Sequence, residues 1–417
     1  MNRRTFLSSA AALSTLGWAG QARAAVANAD RKFVFVFAEG GWDPTRVFVP
    51  AFSNPAVAME AAAEQATTSG LPWVEHPDRP NVSAFFSRHA SRTLLFNGVL
   101  VRSIAHDICR MIAMTGDSSG LKPDWPALIA TEEGLGRYTV PHLVMGGPSF
   151  PGPLGSAVAR TGASGQLEAL ITGDIVGWSD APPSELSVAS QNLVDRYVRG
   201  RSAAAAARVP TGNAAAGYAA YAQGVASATA LKDLKYVMDF TGGTSLSDQA
   251  TVAVDALAIG AARCLTLTEG GNWDSHADND AGQTQRFESM FSGLNQLFER
   301  LGAAPGTAGG ATLLEETTVV VLSEMGRTPQ LNGFMGKDHW PYTSVMVVSD
   351  GVTGGRVVGG FDELFYGYPV DPTTGENDPD GPQLLSIEAV GATLLAMADV
   401  DPAEHILGVD PILGVLR

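Results

Sequence analysis

The chain has 417 residues, 45% of them hydrophobic, with 27 basic against 43 acidic side chains and a net charge of −16. So acidic a balance excludes nucleic acid and anionic lipid as partners, since both would be repelled. Two cysteines exclude a disulfide-built scaffold, and the length fits one large α/β domain or two ordinary ones.

At the N-terminus Arg3 and Arg4 precede Phe6 and Leu7, a mild apolar stretch runs from about Ala10 to Ala19, and Ala22-Arg-Ala24 supplies a small-x-small cleavage pattern. Residues 1–24 therefore read as a twin-arginine signal peptide, removed after Ala24, and the export machinery of that route is an expected partner. The stretch is too short and polar to span a membrane, and no other apolar run reaches ~18 residues. The mature protein is expected to be soluble, periplasmic or secreted, with 393 residues and a net charge near −19.

Further along, Lys32 to Ala38 is an apolar run, followed by a second at Thr93–Val101 and a third at His142–Met145. Two more lie at Cys264–Thr268 and Thr317–Ser323. Short β-branched runs of this kind predict buried strands of a parallel sheet. Helical patterns fall between them at 104–114, 185–207, 214–238, 248–258, 283–301 and 384–398. The alternation predicts an α/β fold, a mostly parallel central sheet with helices on both faces. Residues 25–417 read as one such domain, with the alanine-rich helical stretch around 185–240 as an insertion. Cys264 opens a strand and Cys109 sits on a helix, so two buried thiols fit at least as well as a bridge. The acidic stretch Asp371–Gly381 fails the calcium-loop pattern at its first and twelfth positions and reads as a solvated turn. His142 reads as a core histidine, while His76, His89 and His405 carry no signal.

Four of these strands end in chemistry. The first runs into Glu39-Gly-Gly-Trp-Asp43 and the second into Ser103-Ile-Ala-His106. The fourth ends in Glu269-Gly-Gly-Asn-Trp-Asp274-Ser-His276, and the last in Glu324-Met-Gly-Arg327, followed by Gly336-Lys-Asp-His-Trp340. Ligands of open α/β sheets bind outside the carboxyl ends of the strands. Paired glycines let backbone approach closely there. Carboxylates and imidazoles converging on one sheet edge suit a divalent metal, Zn or Mn for a mixed set and Mg or Ca for an all-oxygen one.

The run Ser323-Glu-Met-Gly-Arg-Thr-Pro329, with Gly336-Lys-Asp-His-Trp340, the earlier Trp273-Asp-x-His276 and the paired arginines, resembles the bacterial family called domain of unknown function 1501. That family is grouped with the alkaline phosphatase and sulfatase superfamily, which implies an α/β/α sandwich carrying metals at strand ends. The resemblance implies metal ligands at Asp43, Asp274, His276, Glu324 and His339. It implies Ser103 or His106 as nucleophile or base, and Arg327 or Lys337 as clamps on the anionic oxygens. Met325 stands where the superfamily commonly has a second histidine, and neither Ser103 nor Cys109 sits in a phosphatase or sulfatase nucleophile motif. The implied activity is a metal-dependent hydrolase or transferase acting on a small-molecule or glycan phosphate or sulfate ester. The alternative is a non-catalytic periplasmic binding or structural protein on a degenerate form of the fold. That alternative keeps at most one metal for stability or ligand binding, and a metal-free protein indifferent to chelator would leave it alone standing.

Overall fold

Every residue of Lys32–Ala38 is buried, which a strand achieves only when both its faces are covered. In the computed structural model the described residues are 26–132, 134, 137–161, 188–209, 211–234, 244–381 and 383–417. Among them the strands run β1 (Lys32–Ala38), β2 (Glu64–Thr68), β3 (Leu71–Glu75), β4 (Thr93–Leu100), β5 (His142–Val144) and β6 (Val158–Arg160). The chain continues with β7 (Cys264–Glu269), β8 (Thr317–Ser323), β9 (Gly326–Arg327), β10 (His339–Trp340), β11 (Tyr342–Val348) and β12 (Arg356–Gly359). Eight form one sheet in the order β12-β4-β11-β8-β1-β7-β5-β6. All pairs are parallel except those of β11, which runs antiparallel between β4 and β8.

Period-2 alternation splits β1 between two cores. Val34, Val36 and Ala38 face a layer built from α1 (Pro80–His89), then α6 (Leu246–Ala258) and α7 (Asn279–Ala303), whose Phe85, Leu257 and Phe287 join the same cluster. Phe33, Phe35 and Phe37 face the opposite layer, made by α2 (His106–Thr115), α3 (Trp125–Thr131) and α9 (Ile387–Ala396). Two helical layers on a mostly parallel sheet are the α/β/α sandwich expected from the alternation of runs. Between these layers in sequence, α4 (Val188–Arg208) and α5 (Gly212–Leu234) are long alanine-rich helices packed on each other. The short α8 (Leu313–Glu316) leads into β8.

Several elements depart from the sequence reading. Strands β6, β11 and β12 of the main sheet, the β2–β3 hairpin, the short β9–β10 pair and helices α1 and α3 were not anticipated, and α2 begins at His106, two residues after the expected start. Cys109 and Cys264 are buried free thiols. Burial pushes the Cys109 thiol up to about 11. The signal region, residues 1–24, lies outside the described residues. No helix of the described residues is long and apolar enough to cross a membrane.

Candidate metal centre

The carboxyl ends of β1, β7 and β8 are side by side, because β1 pairs in parallel with both neighbours. What happens there is set by glycine. Gly40 has φ +122°, and a Cβ on it would lie 2.7 Å from the backbone nitrogens of Trp273 and Asp274. Only glycine lets the turn after β1 press on the turn after β7. The next residue's amide and that of Trp42 both donate to Ser323 Oγ at 3.2 Å, and Ser323 in turn donates to Ala38 O at 2.6 Å.

Glu324 follows Ser323 and is fully buried. Its carboxylate accepts the Gly40 amide at 2.8 and 3.1 Å and faces His106 Nδ1 at 2.9 Å. Arg327, also fully buried, donates from Nε to Gly41 O at 2.8 Å and from Nη1 to Lys337 O at 3.2 Å. Its Nη2 donates to Asp274 Oδ1 at 2.6 Å and also to Gly40 O. The Ser-Glu-Met-Gly-Arg run is thus a brace whose polar members hold the β1 turn, one histidine and Asp274, while Met325 fills the core.

Three imidazoles close around Asp274. His106 Nε2 lies 3.5 Å from Asp274 Oδ2, and His276 Nε2 and His339 Nε2 lie 3.1 and 3.2 Å from Oδ1. The Nε2 atoms of His276 and His339 are 3.0 Å apart. Each ring is held from behind through Nδ1: His106 by Glu324, His276 by Asp338 Oδ1 at 2.9 Å, and His339 by the Ile104 carbonyl at 2.7 Å. A carbonyl or carboxylate can only accept, so each Nδ1 carries a proton, and a ring without a second proton turns its Nε2 lone pair toward Asp274. His106 Nε2 is buried without any hydrogen-bond partner. Lone pairs this close repel unless a proton or a metal ion stands among them.

The ligand atoms of His106, Asp274 and His339 all lie within 4.8 Å of one another, the one such group among the described residues. His276 adjoins it. An orphaned buried nitrogen, a nitrogen-rich donor set and an acceptor behind every ring fit a divalent ion. The electrostatics agree. The hydrogen bond that His106 donates to Glu324 raises the His106 pKa against burial, and the Glu324 and Asp274 charges add to it. Burial alone would raise the Asp274 carboxyl, but Arg327 and then His339 hold it below the usual carboxylate range.

The sequence-predicted residues therefore separate. Asp274, His276 and His339 come together, and His106 joins them as a fourth potential ligand. Glu324 stands one bond further out, behind His106. Asp43 and Lys337 are instead paired with each other at 2.8 Å, both fully buried. The remaining acceptor capacity of Asp43 is taken by Asn279 Nδ2 at 2.9 Å and by Thr45 through its amide at 3.0 Å and hydroxyl at 2.6 Å. Burial would raise the Asp43 pKa, yet Lys337 and Arg46 hold it well below the usual range. The backbone amide of Lys337 donates to Ser275 O at 3.0 Å, so this pair anchors the segment carrying His339 to the one carrying Asp274 and His276. Ser103 Oγ accepts the Ala105 amide at 3.2 Å in the turn before α2. The structure does not bring it to the group. Asp338 and the Ile104 carbonyl went unread, although Asp338 is adjacent to His339 in a conspicuous motif.

A cavity of about 410 Å³ opens beside the group, with His106 and Asp274 in its wall together with Glu39, Arg110 and Asn272.

None of the curated proteins compared with the chain matches it. Among solved structures it is similar to the lipoteichoic acid synthase LtaP from Listeria monocytogenes, at 8% identity and TM-score 0.40, covering 95% of this chain and 80% of that one. It is also similar to a protein in the alkaline phosphatase superfamily from Vibrio parahaemolyticus, at 9% identity and TM-score 0.37, covering 93% and 72%. Likeness of this degree says nothing about chemistry. The family model described as protein of unknown function (DUF1501) matches residues 30–377, and the chain belongs to that family.

Proposed function

We propose that the chain is an exported, metal-dependent hydrolase or transferase acting on a phosphate or sulfate ester. The observation that carries this reading is the set of three Nε2 atoms turned on Asp274, each with its Nδ1 occupied from behind. His106, His276, His339 and Asp274 would hold the ion, and imidazole with a single carboxylate suits Zn²⁺ better than the oxygen-seeking Ca²⁺ or Mg²⁺. Such an ion supplies Lewis-acid polarisation of an ester oxygen. The chain's own groups do the rest. Glu324, Asp338 and the Ile104 carbonyl keep protons on the Nδ1 atoms, which leaves the Nε2 lone pairs for the ion. Arg327 fixes one oxygen of Asp274 and leaves Oδ2 toward His106.

Elemental analysis of the exported protein, whose N-terminus is expected at Ala25, tests the reading. We expect one equivalent of metal in the wild type, lost in both Asp274→Ala and His339→Ala. A metal-free wild type with thermal stability indifferent to chelator would sink it. The position of Ser103, tied into its own turn, favours a second reading, a metal-bearing binding protein without turnover. A metal-loaded protein that cleaves no ester in a phosphate and sulfate ester screen would select that one.

A further inference from the structure

The residues expected to clamp an anion cannot do so where they are. Arg327 and Lys337 are both fully buried, with their donors committed to protein acceptors. A cation does stand in the open cavity beside the imidazoles. Arg110 follows His106 by four residues on α2, hence on the same helix face, and its side chain is 26% exposed. Its guanidinium forks between two carboxylates, Nη1 to Glu39 and Nη2 to Asp107. Glu39 is the first residue past β1, next to Gly40, and shares the cavity wall with Arg110.

The remaining wall is polar. Asn272 spends its Oδ1 on the Asp274 amide at 3.0 Å, which leaves its NH₂ as the donor end. Gly40 and Gly271 contribute only backbone, and the other side chains of the wall are the His106 imidazole and the Asp274 carboxylate, with no Leu, Ile, Val, Met or Phe among them. Such a cavity has nothing to offer an apolar ligand. It has a planar, always charged fork suited to a tetrahedral oxyanion, an amide donor, and room for a small hydroxylated alcohol.

We propose that Arg110 binds the tetrahedral oxyanion of the substrate in this cavity, with Glu39 as the internal carboxylate that the incoming anion displaces. The substrate class is then a small, hydrophilic phosphate or sulfate monoester, an inference that deepens the ester reading and rests on it. Glu39 has two effects of opposite use. It aims the guanidinium while the cavity is empty, and its charge opposes the anion as it enters.

The test is calorimetric titration of the full mature chain with inorganic phosphate and, separately, inorganic sulfate, with and without Zn²⁺ loaded. Arg110→Gln is expected to weaken the preferred anion by about 10- to 100-fold, the loss of a charge-assisted bidentate contact, with metal content unchanged. Arg110→Lys, which keeps the charge but not the fork, is expected to fall between, and guards against a folding defect in the first variant. Glu39→Gln is expected to bind severalfold tighter than wild type. The preferred anion identifies the ester type. Equal affinity in Arg110→Gln, no tightening in Glu39→Gln, or no binding of either anion by the wild type overturns the proposal. Arg110-dependent binding in a chain that takes up no metal leaves this proposal standing and defeats the metalloenzyme. Metal uptake with Arg110-independent anion binding does the reverse.

Discussion

Asp338 accepts the Nδ1 proton of His276 and is itself held by Asn332 Nδ2 at 3.2 Å. It touches no ligand position, yet it decides which nitrogen of His276 faces the centre. Carboxylates in this outer position tune ring orientation and basicity, and losing one typically costs 10–100-fold in metal affinity. Asp338→Asn is therefore expected to raise the Zn²⁺ dissociation constant about 10- to 100-fold in competition with a chelating dye. Thermal stability of the metal-free protein should hardly move, because the Asp338 side chain is 58% exposed. An unchanged dissociation constant would show that His276 keeps its orientation unaided. Asp43 is the contrasting case. A carboxylate just past a buried strand is placed by the sequence at the right edge of the sheet, but which cation answers it is a tertiary matter. Lys337 comes from the far end of the chain, and nothing near Asp43 announces it.

At the level of elements, the motif Gly336-Lys-Asp-His339 is one short segment with a task at each position. Its glycine permits contact, its lysine anchors through Asp43, its aspartate orients His276, and its histidine faces the centre. A Cβ on Gly336 would sit 1.9 Å from His276 O and 2.4 Å from Ala277 N, closer than any real side chain comes. Gly336→Ala must pry the two segments apart, at an overpacking cost of about 1–3 kcal/mol. We expect a lower melting temperature and weaker metal retention together. Gly333→Ala in the same loop meets nothing within 4 Å and serves as the silent control. If both variants melt alike, the close approach is not what holds the segments. The strands that carry the centre were legible for a physical reason: β1 and β8 are buried along their whole length, which makes Phe33–Ala38 and Val319–Leu322 unbroken apolar runs. β11 follows the motif directly and opens on Tyr342-Thr-Ser344, so its unbroken apolar run is only Val345–Val348. The ends of α2 were harder, since no Ser, Thr, Asp or Asn caps it at Ala105.

At the scale of the whole molecule, His142 on β5 illustrates a cost spread through the fold. It is fully buried, its Nε2 bonds Thr266 Oγ1 at 2.8 Å, and its Nδ1 has no hydrogen-bond partner, with Asp124 Oδ1 4.0 Å away. Burial pushes its pKa down to about 4, and burial with two nearby arginines does the same for His89. Both rings take up protons more readily unfolded, where the pKa is near 6.5. The unfolded state thus binds more protons between pH ~6.5 and ~4, and stability falls as pH falls through that window. Below it no further loss comes from these groups. Denaturant unfolding across that range should show His142→Leu with a shallower pH slope than wild type, by up to about 1.4 kcal/mol per pH unit. Parallel slopes would mean His142 is not buried neutral. The sandwich itself was readable from the alternation of runs, while the pairing of particular charges inside it was not.

The central position of β1 has one more consequence, in time. Ser323 Oγ bonds Ala38 O across 285 residues of chain, so β1 leaves the ribosome long before its partner β8 exists. At ordinary translation rates of about 5–20 residues per second, the wait is roughly 15–60 s. Throughout it, Phe33-Val-Phe-Val-Phe37 is a strand with no neighbour on that side, and a segment of this composition is prone to self-association. The nascent chain must be shielded over this interval, and His339 can meet Asp274 only after it ends.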